Sequence, residues 1–283
     1  MLQRLAVLGV GLLGGSVAKA ARAHGLAGEI VGIGRDANRL EPALRDGTLD
    51  RATTDVAGGV SGADFVVLAT PVGAIERLLE TAWPALAPEA VVTDVGSTKQ
   101  AIVNAALRLA ASRPRRFVGS HPMAGSEQSG YGVARADLFR GATVIVTPTD
   151  ASAPPTVKAV TAFWEALGAG RILALDPETH DRLVAAVSHL PHLVACALVD
   201  GVERVDPAAF DVAARGFRDT TRIAAADPAV WEEIFLGNRL ALGASLREFL
   251  RSLAELSRLV ETGDGPALRA ALARIQQRRE ALR

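Results

Sequence analysis

The 283-residue chain is poor in several residue types, and each shortage excludes a class of function. Cys196 is its only cysteine and lies in the apolar run Leu193 to Val199, so neither an intramolecular disulfide nor a cysteine metal cluster is possible. Neither sign of charge is in excess: 31 basic and 31 acidic residues cancel, leaving no long-range field to draw in nucleic acid or an anionic membrane. Two short basic stretches, Arg113 to Arg116 and the tail from Gln276, read as a turn and a solvated helix end. The sequence reads as lacking an apolar run of the roughly 18 residues that a membrane span needs. The N-terminus enters a strand pattern within a few residues and shows no cleavable leader, which makes the cytoplasm the expected location. Nothing resembles His-Glu-x-x-His spacing, so no metal site is expected.

What the chain does have is apolar material, 49% of its residues, in a length that suits two domains. From Leu2 to about Ile172, short aliphatic runs alternate with Ala/Leu-rich stretches. Strands are expected at Arg4 to Leu8, Glu29 to Ile33, Phe65 to Leu68, Val91 to Asp94, Phe117 to Gly119 and Thr143 to Val146, with helices between them. Strands without polar alternation, separated by helices, predict a mostly parallel sheet covered on both faces. After Arg171 to Leu173 the strand signal fades, and Thr179 to Val199, Phe210 to Ala214, Pro228 to Arg258 and Pro266 to Leu282 carry helical spacing. The expected fold is α/β: an N-terminal Rossmann-like dinucleotide-binding domain over residues 1–170, then an all-helical domain over 171–283. The apolar row Leu236, Leu240, Leu246, Phe249, Leu253, Leu256 and Leu259 predicts homodimerisation through that second domain, the alternative being an intrachain helical core.

Leu5 to Ser16 contains Gly9, Gly11 and Gly14 in G-x-G-x-x-G spacing between a strand and a helix. Gly9 permits the turn, Gly11 lets the backbone approach a pyrophosphate, and Gly14 lets the helix sit close on the sheet; Leu12 and Leu13 open that helix. The second strand ends in Gly34, Arg35 and Asp36, where the adenosine ribose of a dinucleotide would lie. A carboxylate at the strand end selects NAD, whereas Arg35 suits a 2′-phosphate, so NADP is favoured with NAD or dual use open. Thr70 and Pro71, after the next strand, and Ser97, after the one following, lie at the carboxyl edge of the sheet and would flank a nicotinamide. Ser97 could equally be only a helix cap.

Among five histidines, His24 and His180 read as surface or capping residues near helix ends. His121, in Gly119-Ser-His-Pro-Met-Ala-Gly-Ser-Glu127, is placed by the pattern in a loop just after a strand, well suited to the acid/base half of a hydride transfer. His189 and His192 flank Pro191 in Ser188-His-Leu-Pro-His192 and open or interrupt a helix. With these two segments and Gly216-Phe-Arg-Asp-Thr-Thr-Arg222, followed by Asp227-Pro228 and Trp231, the chain resembles the prephenate and arogenate dehydrogenases of tyrosine biosynthesis in their monofunctional form. That resemblance implies oxidation of a ring carbon bearing a hydroxyl, hydride transfer to NAD or NADP, and loss of the ring carboxylate, with prephenate favoured over arogenate. It implies His121 and Ser97 as catalytic residues, and Arg222 as the ligand of a substrate carboxylate. His189 would position substrate or nicotinamide, while Ser126, Glu127 and Trp231 would shape the pocket. Arg215 and Arg218 remain unranked as further carboxylate ligands. A group titrating at about 6 to 7 is expected for His121. Two rivals are a small hydroxy-acid dehydrogenase, which would need Lys99 as its base, and a dinucleotide sensor without turnover.

Overall fold

The computed structural model describes residues 1–126 and 128–282. Six strands, β1 (Leu2–Leu8), β2 (Ala27–Ile33), β3 (Arg51–Thr53), β4 (Phe65–Leu68), β5 (Val91–Asp94) and β6 (Arg116–Phe117), form a parallel sheet in the order β3-β2-β1-β4-β5-β6. Their connections run through α1 (Leu12–Ala23), α2 (Ala37–Arg45), α3 (Val56–Val60), α4 (Val72–Ala82) and α5 (Gln100–Ser112). The sheet is apolar on both faces because alternate residues feed two cores. Leu5 and Val7 pack with Val17, Phe65 and, from α6 (Pro154–Ala166), Phe163 and Trp164; Ala6 and Leu8 pack with Val66, Ile75, Leu79 and Ile102. The strand order reverses between β1 and β4, which opens a crevice at their carboxyl ends.

The strand expected over Phe117 to Gly119 is two strands in two sheets. The chain leaves the parallel sheet at Val118, whose N–H still donates to the Val92 carbonyl (3.1 Å). It then enters β7 (Gly119–Pro122), antiparallel to β8 (Thr143–Thr147), which pairs in parallel with β9 (Arg171–Ala174). Ser120 fastens the small sheet to the large one: its hydroxyl donates to the Asp94 carbonyl (2.6 Å) and accepts from the Trp164 indole (2.9 Å). His121 therefore stands inside a strand, not in a loop. The short edge strand β3 is a further addition; its three residues, Arg51, Ala52 and Thr53, are too few and too polar for the pattern to mark.

Helices follow β9: α7 (Pro177–Val184), α8 (Leu190–Val205), α9 (Arg215–Thr221), α10 (Pro228–Gly237), α11 (Arg239–Glu261) and α12 (Gly265–Glu280). Two expected helices are corrected here. The stretch from Phe210 is a 3₁₀ segment at Pro207–Val212, and the single helix expected from Pro228 to Arg258 breaks at Asn238 (φ −117°, ψ 27°). Between α7 and α8 the chain makes one π turn, Ala185–His189. Pro191 lacks the N–H that would close the next α-helical bond, and the wide turn absorbs that irregularity without ending the helix. The continuous run Pro177–Val205 has a window of mean hydropathy 1.6, long and apolar enough to cross a membrane by length and composition, contrary to expectation. Its inward face nevertheless carries His180, Asp181, His189 and His192, all buried against protein partners.

Candidate active site

The glycine turn has the geometry its spacing implies. Gly9 sits at φ +90°, a conformation that disfavours a side chain, and a Cβ there would meet the Ala69 carbonyl at 2.7 Å. A Cβ on Gly14 would run into the Gly9 carbonyl, so α1 can lie this close to the turn only with glycine there. Gly11 faces open space, with nothing within 4 Å of its ideal Cβ position. The N-terminus of α1 has no side-chain cap and no acidic residue in its first turn. Leu12 and Leu13, half-buried, pack on the core behind it. Room beside Gly11 and uncapped N–H donors together suit the pyrophosphate of a dinucleotide. Beyond β2, Gly34 abuts Leu40 and its N–H donates to the Thr53 carbonyl (3.1 Å). Arg35 is exposed, while Asp36 caps α2 by accepting from the Asn38 N–H (2.9 Å).

At the ends of β4 and β5, two helices receive their caps from the helical half of the molecule. Pro71 cannot cap α4; Glu233 of α10 does so, accepting from the Gly73 N–H (3.0 Å). Asp181 of α7 accepts from the N–H groups of Lys99 (2.7 Å) and Gln100 (3.0 Å) at the start of α5. Ser97 is therefore not that helix's cap; it is half-buried, and its hydroxyl makes no hydrogen bond among the described residues. The Thr70 hydroxyl is buried without a partner at the same sheet edge. Lys99 is fully buried and ion-paired with the equally buried Asp94, which also accepts from the Gly96 N–H (2.8 Å). Burial pushes the Lys99 ammonium down while Asp94 holds it up. A lysine locked beneath the turn in this way cannot serve as the base of a hydroxy-acid dehydrogenase.

His121 Nδ1 lies 3.0 Å from His180 Nε2, and His180 Nδ1 lies 2.8 Å from Asp181 Oδ1. His180, expected in a surface or capping role, is completely buried and lies against His121. The only local signal was the adjacency of two ionisable residues, His180-Asp181, on the face of α7 that also buries Val184. Asn238 continues the network, its amide donating to the Asp181 carbonyl (2.7 Å) and lying 3.2 Å from His189 Nδ1. The helix break at Asn238 thus coincides with a buried polar junction. His189 meets the Trp231 ring edge-on, and His192 stacks on it with centroids 3.5 Å apart. His189 Nε2 and His192 Nδ1 are buried without hydrogen-bond partners among the described residues.

Burial drives His121 well below its ordinary value of 6.5, aided by the neighbouring His180, Lys99 and His189. Burial also lowers His180, against the pull of Asp181, and takes His189 down to about 4. Burial alone would raise Asp181, but its bonds from His180 and from the Gln100 and Lys99 N–H groups outweigh it and lower the carboxyl. All the rings in this cluster are thus neutral at neutral pH, and Asp181 is ionised. The titration expected at about 6 to 7 for His121 therefore moves lower.

His121, His189 and Trp231 are thereby brought into one connected cluster. Arg222 is exposed at the end of α9, on the segment that packs against α8, and is engaged in an interaction of its own. Ser126 is exposed, its hydroxyl accepting from the Gln128 N–H (3.0 Å). Glu127 lies outside the described residues. Arg215 pairs with Asp219 across one helical turn (3.2 Å). No group of three or more metal-ligating side chains occurs among the described residues.

Comparison with known proteins gives matches along the whole chain. Residues 17–173 match the family model described as prephenate dehydrogenase, nucleotide-binding domain, and residues 176–274 the one described as prephenate dehydrogenase, dimerization domain. A prephenate dehydrogenase of Bacillus subtilis is 35% identical over 95% of this chain and 73% of its own length. The crystal structure of a prephenate dehydrogenase from A. aeolicus, in complex with hydroxyphenyl propionate and NAD+, superposes with a TM-score of 0.92 at 34% identity, covering 100% of this chain and 99% of that one. An arogenate dehydrogenase from Synechocystis gives a TM-score of 0.84 at 31% identity, covering 98% and 99% of the two chains.

Proposed function

The chain belongs to the prephenate dehydrogenase family, and from that premise we propose that it oxidises prephenate to 4-hydroxyphenylpyruvate with loss of the ring carboxylate as carbon dioxide. The observation that carries the reading is a buried, neutral imidazole, His121, in the strand that Ser120 fastens to the carboxyl end of β5. Bound at the turn through Gly9, Gly11, Leu12, Leu13 and Gly14, the nicotinamide dinucleotide supplies the hydride acceptor. His121 accepts the proton of the ring hydroxyl through Nε2 as the carbon beneath it is oxidised. The electrons left by departing carbon dioxide aromatise the ring, and the proton returns to the resulting phenolate, so none is consumed overall. Ser97 offers its unengaged hydroxyl to the same oxygen, and Thr70 and Pro71 flank the nicotinamide. Arg222 takes a substrate carboxylate through its planar fork. His189 and Trp231 wall the ring side, with Ser126 and Glu127 at the mouth.

For the cofactor's adenosine end, the reading favours NADP: Arg35 is exposed at the strand end while the Asp36 carboxylate is occupied in capping α2. The functional division is residues 1–170 for the dinucleotide and 171–283 for substrate and for homodimerisation, the strand β9 at the start of the second part pairing with β8 of the first. A cytoplasmic location accompanies it.

The test is an assay of purified protein with prephenate or arogenate, each with NAD or NADP. Prephenate with NADP is expected to give the highest kcat/KM; silence in all four combinations while dinucleotide still binds would sink the assignment. His121→Asn should lower kcat by about 10²- to 10⁴-fold with cofactor affinity retained. Because only neutral His121 accepts a proton and its titration is depressed, the acid limb of kcat/KM should fall below the ordinary histidine value of 6.5.

A further inference from the structure

We propose that His180 and Asp181 are a positioning pair that holds His121 in a single tautomer, with the proton on Nδ1 and the lone pair on Nε2, where the substrate hydroxyl must be met. The inference rests on the dehydrogenase reading above and follows from counting donors and acceptors along the chain of contacts.

An ionised Asp181 carboxylate can only accept. It already takes the Lys99 and Gln100 N–H groups, and it lies 2.8 Å from His180 Nδ1, so that nitrogen must carry a hydrogen. A neutral imidazole has one donor and one acceptor, which leaves His180 Nε2 bare. That bare nitrogen lies 3.0 Å from His121 Nδ1, and two lone pairs at this distance would repel, so His121 must donate from Nδ1. Its remaining nitrogen, Nε2, makes no hydrogen bond among the described residues and is the acceptor.

The pair also prepares for what happens next. Once Nε2 takes a proton, His121 is a buried cation, and its Nδ1–H points along a line of polarisable bonds that ends in the Asp181 charge. The titratable groups packed around the two rings are Asp94 at the end of β5, Lys99 at the start of α5, Asp181 from α7, and the neutral His189 from the π turn. Lys99 disfavours the imidazolium and Asp181 favours it, so the carboxylate is placed where the transient charge needs it. Asn238, at the break between α10 and α11, donates to the Asp181 carbonyl and so holds the backbone of that residue in place.

The proposal is tested on the whole protein labelled with ¹⁵N in histidine, by reading which ring nitrogen of each residue is protonated at neutral pH and identifying His121 by its loss in His121→Gln. The expected result is a protonated Nδ1 and a bare Nε2 for both His121 and His180. His180→Leu should abolish the preference and lower kcat by about 100-fold with KM little changed. His180→Gln, whose amide oxygen can still accept from His121 Nδ1, should restore the tautomer and part of kcat. A wild-type His121 protonated on Nε2 would overturn the proposal, as would a His180→Leu protein with full kcat. A correct tautomer in a protein that turns over neither prephenate nor arogenate would support the pair while removing the substrate reading.

Discussion

The two halves of this molecule bury their helices to different depths. In the sheet half, α1 alone buries seven residues, and the strands are lined on both faces by Val, Ile, Leu and Phe. In the helical half, α11 buries only Leu242 along its 23 residues and α12 only Ala271 along its 16, whereas His180, Asp181, His189, His192 and Asn238 are all buried. The sheet half is organised around its own oil-like core. The helical half turns its polar groups inward, toward the other half and the site, and leaves aliphatic side chains facing out. The second half thus leaves an aliphatic face on its outer side, and homodimerisation through α10 to α12 is the proposal that would cover it.

The largest effect should come from breaking that outer face. Leu240 is 82% exposed and Leu253 51%. Charging both, as Leu240→Glu with Leu253→Glu, is expected to convert a dimer to a monomer in light-scattering chromatography; an unchanged mass would mean that the aliphatic face is not the interface. Next in size is the inner face. Asp181→Ala removes the cap of α5 and the partner of His180 at once, and should cost about 2–4 kcal/mol in denaturant unfolding, more than a cap alone. A loss no greater than that of an ordinary surface substitution would show the polar core to be dispensable.

Acid should separate the halves further. His121, His180, His189 and His192 all have lowered pKa values in the folded chain. Below 6.5 the unfolded chain therefore takes up protons that the folded one refuses. Stability falls as pH drops from there, and the His189 share of the loss is complete once pH passes its folded value of about 4. Melting curves across this range should show a steeper decline for wild type than for His189→Gln. The smallest effect is expected for Glu233→Ala, about 0.5–1.5 kcal/mol for losing the half-exposed cap of α4.

The same asymmetry explains what could be read in the sequence. The sheet half announces itself because glycine spacing, strand composition and strand ends are local properties. Gly9, Gly11 and Gly14 stand where their pattern puts them. The helical half does not, because its informative residues are polar ones buried by a different part of the chain. His180 looked like a helix-end histidine because nothing within ten residues reveals that β7 will lie against it. His121 looked like a loop residue because Gly119 and Pro122 are poor strand formers; what makes the strand is pairing with β8, more than twenty residues later. The break at Asn238 was invisible for the same reason: an asparagine inside a helical pattern is unremarkable until its partners, the Asp181 carbonyl and His189, are known.

The two carboxylates that cap α4 and α5 also act as dowels between the two halves. Each helix start lies at the rim of the site, and each is finished by a residue from beyond the last strand. If the helical half were exchanged for that of a relative, the graft would need acidic residues at the positions of both Asp181 and Glu233, or the three N–H groups of Gly73, Lys99 and Gln100 would go unanswered. A chimera that preserved every ligand-contacting residue but not these two would have the parts of an active site without the alignment that joins them.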